Sequence, residues 1–163
     1  MKEILLLALL LSICAGASGQ SQTVDCEVLK KLPLDRMKDF SEVQKTKEID
    51  NHSFVSKFTL FTGVEGLHVY QSSDGSRTLM SKRLMYTDKD TAVAVYNNML
   101  IQMAKCLGDA WTNTNELYSG SARIRIFRAE FTPKDKDPKK GKMLLHVRET
   151  LRSGEYYISY SYE

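Results

Sequence analysis

Residues 143–163 read MLLHVRETLRSGEYYISYSYE, two alternating runs separated by Ser153-Gly154. Side chains of a strand point to opposite faces with a period of two, so such runs predict an antiparallel hairpin with one dry and one wet face. A two-residue loop at Ser153-Gly154 would set Arg152 opposite Glu155, an opposite-charge pair, and Leu151 opposite Tyr156. The same register pairs Val147 with Tyr160 and Leu145 with Tyr162. Leu145, Val147, Leu151, Tyr156, Ile158, Tyr160 and Tyr162 then share the core face. His146, Arg148, Thr150, Tyr157, Ser159 and Ser161 share the other, and Glu149 is the one charge on the apolar side.

A sheet with one apolar face needs a cover, and residues 87–107 supply one. Ala92, Val95, Tyr96, Met99, Leu100, Met103, Cys106 and Leu107 follow helical spacing, with capping residues in Thr87–Asp90 and a stop at Gly108. The methionines of this stripe read as core packing. A first helix is expected over residues 25–40, capped by Asp25, with Cys26, Leu29, Met37 and Phe40 on its apolar side. Pro33 lacks an amide and is expected to kink it or to begin a second short turn. SEVQKTKEIDNHS (41–53) and DAWTNTNELYSGS (109–121) read as polar connections.

Strands are expected in residues 54–86, where Asp74-Gly75 predicts a two-residue hairpin loop. That loop would group Leu67 and Val69 with Met80 and Leu84, and would bring Lys82 onto the same apolar face. In ARIRIFRAEF (122–131) the inward phase changes from Ile124 and Ile126 to Phe127, Ala129 and Phe131, which predicts a β-bulge. The expected fold class is α+β: a two-layer sandwich of two helices on an antiparallel sheet of about six strands, in the order α-βββ-α-βββ.

The chain opens MKEILLLALLLSICAGASG, a basic residue, a short apolar run and small residues, the order of a secretory signal peptide. The run is shorter than the roughly 20 residues of a membrane span. Cleavage after Ala17 or Gly19 is expected, with lipidation at Cys14 as an alternative. Residues 1–19 are therefore read as a leader and 20–163 as a single secreted domain, periplasmic or extracellular, with no transmembrane segment. Export places Cys26 and Cys106 where disulfides persist. They are not in a metal-binding CxxC spacing, and no base is evident near Cys106, so a disulfide is expected over two buried thiols, a ligand or a reactive thiol.

The net charge of +3 is too small to suggest a nucleic-acid partner. No G-x-S-x-G, H-E-x-x-H, P-loop or dinucleotide fingerprint occurs, so no catalytic residue, metal site or cofactor is assigned. Asn51-His52-Ser53 forms a single sequon. Two surface patches remain. One is the polar face of the last hairpin, His146, Arg148, Tyr157, Ser159 and Ser161, extended by Arg123 and Arg125: a cationic, aromatic-bearing surface suited to an acidic partner. The other is the basic turn Lys134–Lys142, read as a solvated loop or an anion site. The leading expectation is an exported, non-catalytic module that binds a protein or other exported macromolecule through the polar sheet face. A carrier of a small apolar ligand lined by Met99, Met103, Phe58 and Tyr160, or a secreted enzyme with dispersed catalytic residues, are the alternatives.

Overall fold

The computed structural model describes residues 22–38, 40, 44–50, 53–56, 58–64, 67–117, 125–150 and 153–163, with the backbone alone for 44–50, 125 and 126. The expected leader, Cys14, the sequon at Asn51, Arg123 and the Leu151-Arg152 part of the last hairpin lie outside the described residues.

The fold is α+β. Helix α1 (Cys26–Met37) precedes strands β1 (Gln44–Asp50), β2 (Ser53–Ser56), β3 (Leu67–Gln71), β4 (Arg77–Ser81) and β5 (Leu84–Tyr86). Helix α2 (Lys89–Leu107) leads to β6 (Trp111–Leu117), β7 (Arg125–Pro133), β8 (Met143–Glu149) and β9 (Tyr156–Tyr162). One antiparallel sheet runs β1-β2-β3-β4-β9-β8-β7-β6, and β5 also pairs with β9. No helix among the described residues is long and apolar enough to cross a membrane.

The strand number exceeds the expected six because both polar connections contribute outer strands. β6 is laddered to β7 from Trp111↔Pro133 to Leu117↔Phe127, although nearly all its residues are exposed. An outer strand held by its main-chain ladder need not show the apolar alternation that marks an inner one. The polar stretch before Asn51 contributes β1 in the same way, paired with β2.

Both helices start where expected. Asp25 accepts from the Glu27 and Val28 amides, and Asp88 accepts from Thr91 N–H. Helix α1 continues through Pro33 without a second start, its Leu29, Leu32 and Pro33 buried. Met37, expected on the apolar side, is exposed; the chain turns instead through Phe40 at φ 56°, whose N–H reaches the Asp35 carbonyl at 2.7 Å. Phe40 is thereby buried edge-on against Tyr162. Cys26 and Cys106 form the expected disulfide, with Cα atoms 5.1 Å apart, joining the start of α1 to the end of α2. Beside it, the Gln102 side chain accepts from Val24 N–H and donates to the Gln22 carbonyl.

The sheet contributes Leu67, Val69, Leu79, Ala129, Phe131, Met143, Leu145, Val147, Ile158, Tyr160 and Tyr162 to the core, facing Leu29 and Leu32 of α1 and Ala92, Tyr96, Met99 and Met103 of α2. Two hairpin registers differ from expectation. In β3–β4, Val69 stands opposite Leu79, one residue from the expected pairing. Ser72 N–H bonds the Ser76 carbonyl at 2.9 Å, closing a three-residue loop with Gly75 at φ 85°. The single step turns Met80 and Lys82 off the core face and puts Leu79 on it, which removes the conflict at Lys82. In β8–β9, Leu145 stands opposite Tyr160 and Val147 opposite Ile158, two residues from expectation. Thr150 N–H bonds the Glu155 carbonyl at 2.7 Å, a pairing that the expected two-residue loop does not allow. A two-residue shift preserves the faces: Leu145, Val147, Ile158, Tyr160 and Tyr162 are buried as expected, and Tyr156 is half-buried. The bulge in β7 is also present: Arg125 pairs with Arg148, but Phe127 pairs with Val147.

Candidate binding groove on the open face of the sheet

The residues that alternate with the core set lie on the face away from the helices. Register aligns them in rows: Arg128, His146 and Ser159 across β7–β8–β9, and Glu130, Leu144, Ser161, Met80 and His68 across β7–β8–β9–β4–β3. Arg148 stands opposite Tyr157, which in turn stands opposite Met85 of β5.

β4 and β5 behave as one strand interrupted by a bulge. Met80 pairs with Ser161 and Leu84 with Ile158, so Ser81, Lys82 and Arg83 face only two residues of β9. Ser81 Oγ accepts the Tyr160 N–H at 3.0 Å, replacing a ladder bond with a side-chain one. A bulge re-aims side chains next to it. Here Lys82 and Arg83, adjacent in sequence, both line the open face, and the Arg83 guanidinium carbon lies 4.7 Å from the centre of the Tyr157 ring.

These elements enclose a groove of about 640 Å³. Its walls carry four cations, Lys82, Arg83, Arg128 and Arg148, with His146, and one carboxylate, Glu163. Tyr70, Thr78, Tyr157, Ser159 and Ser161 supply hydroxyls. Arg128 is held at 2.8 Å by Glu130, which also lies 3.7 Å from Lys142. The Nε atoms of Arg128 and Arg148 are buried with no hydrogen-bond partner among the described residues. Burial lowers the pKa of His68, and the nearby charge of Lys82 lowers it further.

Of the residues assigned to this surface from sequence, His146, Arg148, Tyr157, Ser159 and Ser161 are brought together in the groove. Arg125 is placed by its backbone opposite Arg148. The assignment of the face to open solvent is corrected: His146 is 8 % and Tyr157 9 % exposed, because they lie in a concavity and not on a flat sheet. Lys82, Arg83 and Arg128 were missed. Their signal was present: Leu79 faces inward at an odd position and Leu84 at an even one, the same phase slip that reveals the bulge in β7.

The basic turn divides. Lys140 is paired with Asp135, which lowers the Asp135 pKa and raises that of Lys140, and Lys142 lies 3.9 Å from Glu163. Lys134, Lys136 and Lys142 border a second cavity. No group of three His, Cys, Asp or Glu side chains among the described residues could hold a metal ion. Comparison with protein-family models, curated proteins and solved structures finds no match to this chain.

Proposed function

We propose that this chain is an exported, non-catalytic binding module whose concave sheet face receives an acidic segment of a macromolecular partner. The observation that carries the reading is the convergence of Lys82, Arg83, Arg128 and Arg148 on one groove with a single carboxylate in its lining. Like charges held together on a partly dehydrated surface repel, and an acidic partner relieves that repulsion. The guanidinium groups suit bidentate pairing with carboxylates. Tyr157, already stacked under Arg83, adds the aromatic surface that concentrates binding energy in interfaces. The Cys26–Cys106 disulfide accords with an oxidising compartment. Carriage of an apolar ligand between helices and sheet draws less support, since Met99, Met103 and Tyr160 are packed in the core.

The test uses the domain and its Lys82→Glu, Arg148→Glu double variant as baits in the exported fraction of the source organism. Acidic proteins should be captured by the first, released by rising salt and lost from the second at unchanged folding. Equal capture by both baits would remove the groove from the interface.

A further inference from the structure

We infer that the second cavity, at the end of the sheet where α1 stops, is a binding site for a small amphipathic organic anion: a carboxylate head on an apolar body. It adjoins the groove at Glu163, which lines both, shares no other lining residue with it, and does not rest on the reading above. Its volume, about 680 Å³, falls among those of small-molecule sites. Pro133 and Pro138 give it apolar walls, and Thr112 and Thr132 meet across β6–β7 with their hydroxyls 2.9 Å apart.

The charge comes from the opposite side. Arg36, in the last turn of α1, enters the lining with its guanidinium carbon 5.8 Å from the Phe40 ring centre. Its Nε is buried without a hydrogen-bond partner among the described residues. Lys134 and Lys136 stand on the rim and have no ion pair among those residues, whereas the two lining carboxylates are engaged. Asp137 accepts from the Lys139 amide at 3.0 Å, and Glu163 lies 3.9 Å from Lys142. A half-buried arginine in the lining, set among prolines and aliphatic lysine stems, complements a head group that is anionic and a body that is not.

The cavity is also built in advance. Lys142 and Glu163 exchange both main-chain hydrogen bonds at 3.0 Å. Gly141 makes that approach feasible, since at φ 63° a Cβ there would meet the Glu163 carbonyl oxygen at 1.9 Å. The Tyr162 hydroxyl donates to the Lys140 carbonyl and fixes the turn from beneath. A preformed site spends little binding energy on ordering.

Trp111, the single tryptophan, pairs with the wall residue Pro133 and reports on occupancy by its fluorescence. Decanoate, decanol and acetate are titrated into the disulfide-bonded domain by calorimetry and by Trp111 emission. Decanoate should bind saturably at one site, with decanol and acetate at least about tenfold weaker, because the head and the body are both needed. Arg36→Gln should weaken decanoate by about tenfold or more, the usual worth of a charge-assisted hydrogen bond. If Arg36→Gln fails to fold, a Lys134→Gln, Lys136→Gln double variant in the exposed turn should show a smaller loss in the same direction. Arg148→Glu, in the groove, should leave decanoate binding unchanged. Absence of saturable binding, decanol binding as tightly as decanoate, or insensitivity to both cavity variants overturns the inference, as does loss of binding in Arg148→Glu.

Discussion

Alternate residues of β9 meet two different environments. Tyr160 and Tyr162 are fully buried among apolar side chains, Tyr160 edge-on to Phe61. Tyr157, Ser159 and Ser161 look onto the groove, where Tyr157 and Ser161 are each only 9 % exposed. Burial on the first face comes from two helices packed against the sheet, and burial raises the pKa of both tyrosines. On the second face it comes from concavity, with cations and hydroxyls for walls. The two faces therefore separate depth from dryness: one strand can bury both sides and keep only one of them apolar.

The helical layer should respond most strongly to loss of its disulfide. Replacing Cys26 and Cys106 by Ala should cost about 4 to 5 kcal/mol on the chain-entropy account of a loop this long, read from the urea midpoint. Acidic-partner binding by whatever fraction remains folded should be unchanged, because neither cysteine touches the groove. A binding defect in that fraction would show that the faces are coupled.

Tyr160→Ala should cost about 3 to 5 kcal/mol, as large aromatic truncations in cores do. Tyr157→Ala should cost less, roughly 1 to 2 kcal/mol, since its loss removes one stacked guanidinium contact and leaves a wet wall behind. A reversed order would mean that the open face is the true core. Tyr160→Phe is a sharper probe of dryness. The Tyr160 hydroxyl is buried with no hydrogen-bond partner among the described residues, so its removal should be neutral or mildly stabilising by thermal unfolding. A marked loss would reveal a polar contact on the dry side.

The smallest effect concerns His68, whose folded-state pKa is held below the ordinary 6.5 by burial and by Lys82. Its stability contribution is complete above the unfolded value and is lost as pH falls through the depressed folded one. Lys82→Ala should raise the His68 pKa in an NMR titration without bringing it above the ordinary value, because the burial cost remains. An anion in the groove should raise it too, so binding should tighten as pH falls toward it. A His68 pKa indifferent to Lys82 would show that the charge on the groove wall does not reach this residue.

The dry face was the legible part of the molecule. Alternation in β8 and β9 and helical spacing in α2 identify Leu145, Val147, Tyr160, Met99 and Met103 as core, because apolar burial imposes a period on sequence. The β7 bulge was legible for the same reason, as a break in that period. Loop closure was not. Ser72, Asp74 and Ser76 bond one another around Gly75; the Ser72 hydroxyl and the Ser76 amide, both donating to Asp74, lower its pKa to about 2, and the register is shifted by one residue. Thr150, Ser153 and Glu155 form a comparable knot at the other hairpin. The outer strands were illegible because main-chain bonds leave no side-chain signature. Five groove residues, His146, Arg148, Tyr157, Ser159 and Ser161, were found through alternation. Their enclosure was not, since it depends on sheet shape and on the bulge that delivers Lys82 and Arg83.

The central claim, that the concave face and not the helical face receives an acidic segment, is tested most directly by backbone amide NMR. A glutamate-rich peptide is titrated into the isotopically labelled domain at low salt. Perturbations should concentrate in Thr78–Arg83, His146–Arg148 and Tyr157–Ser161, leave α1 and α2 nearly untouched, and vanish in the Lys82→Glu, Arg148→Glu variant. Shifts centred on the helices, or a pattern unchanged in that variant, would contradict the assignment.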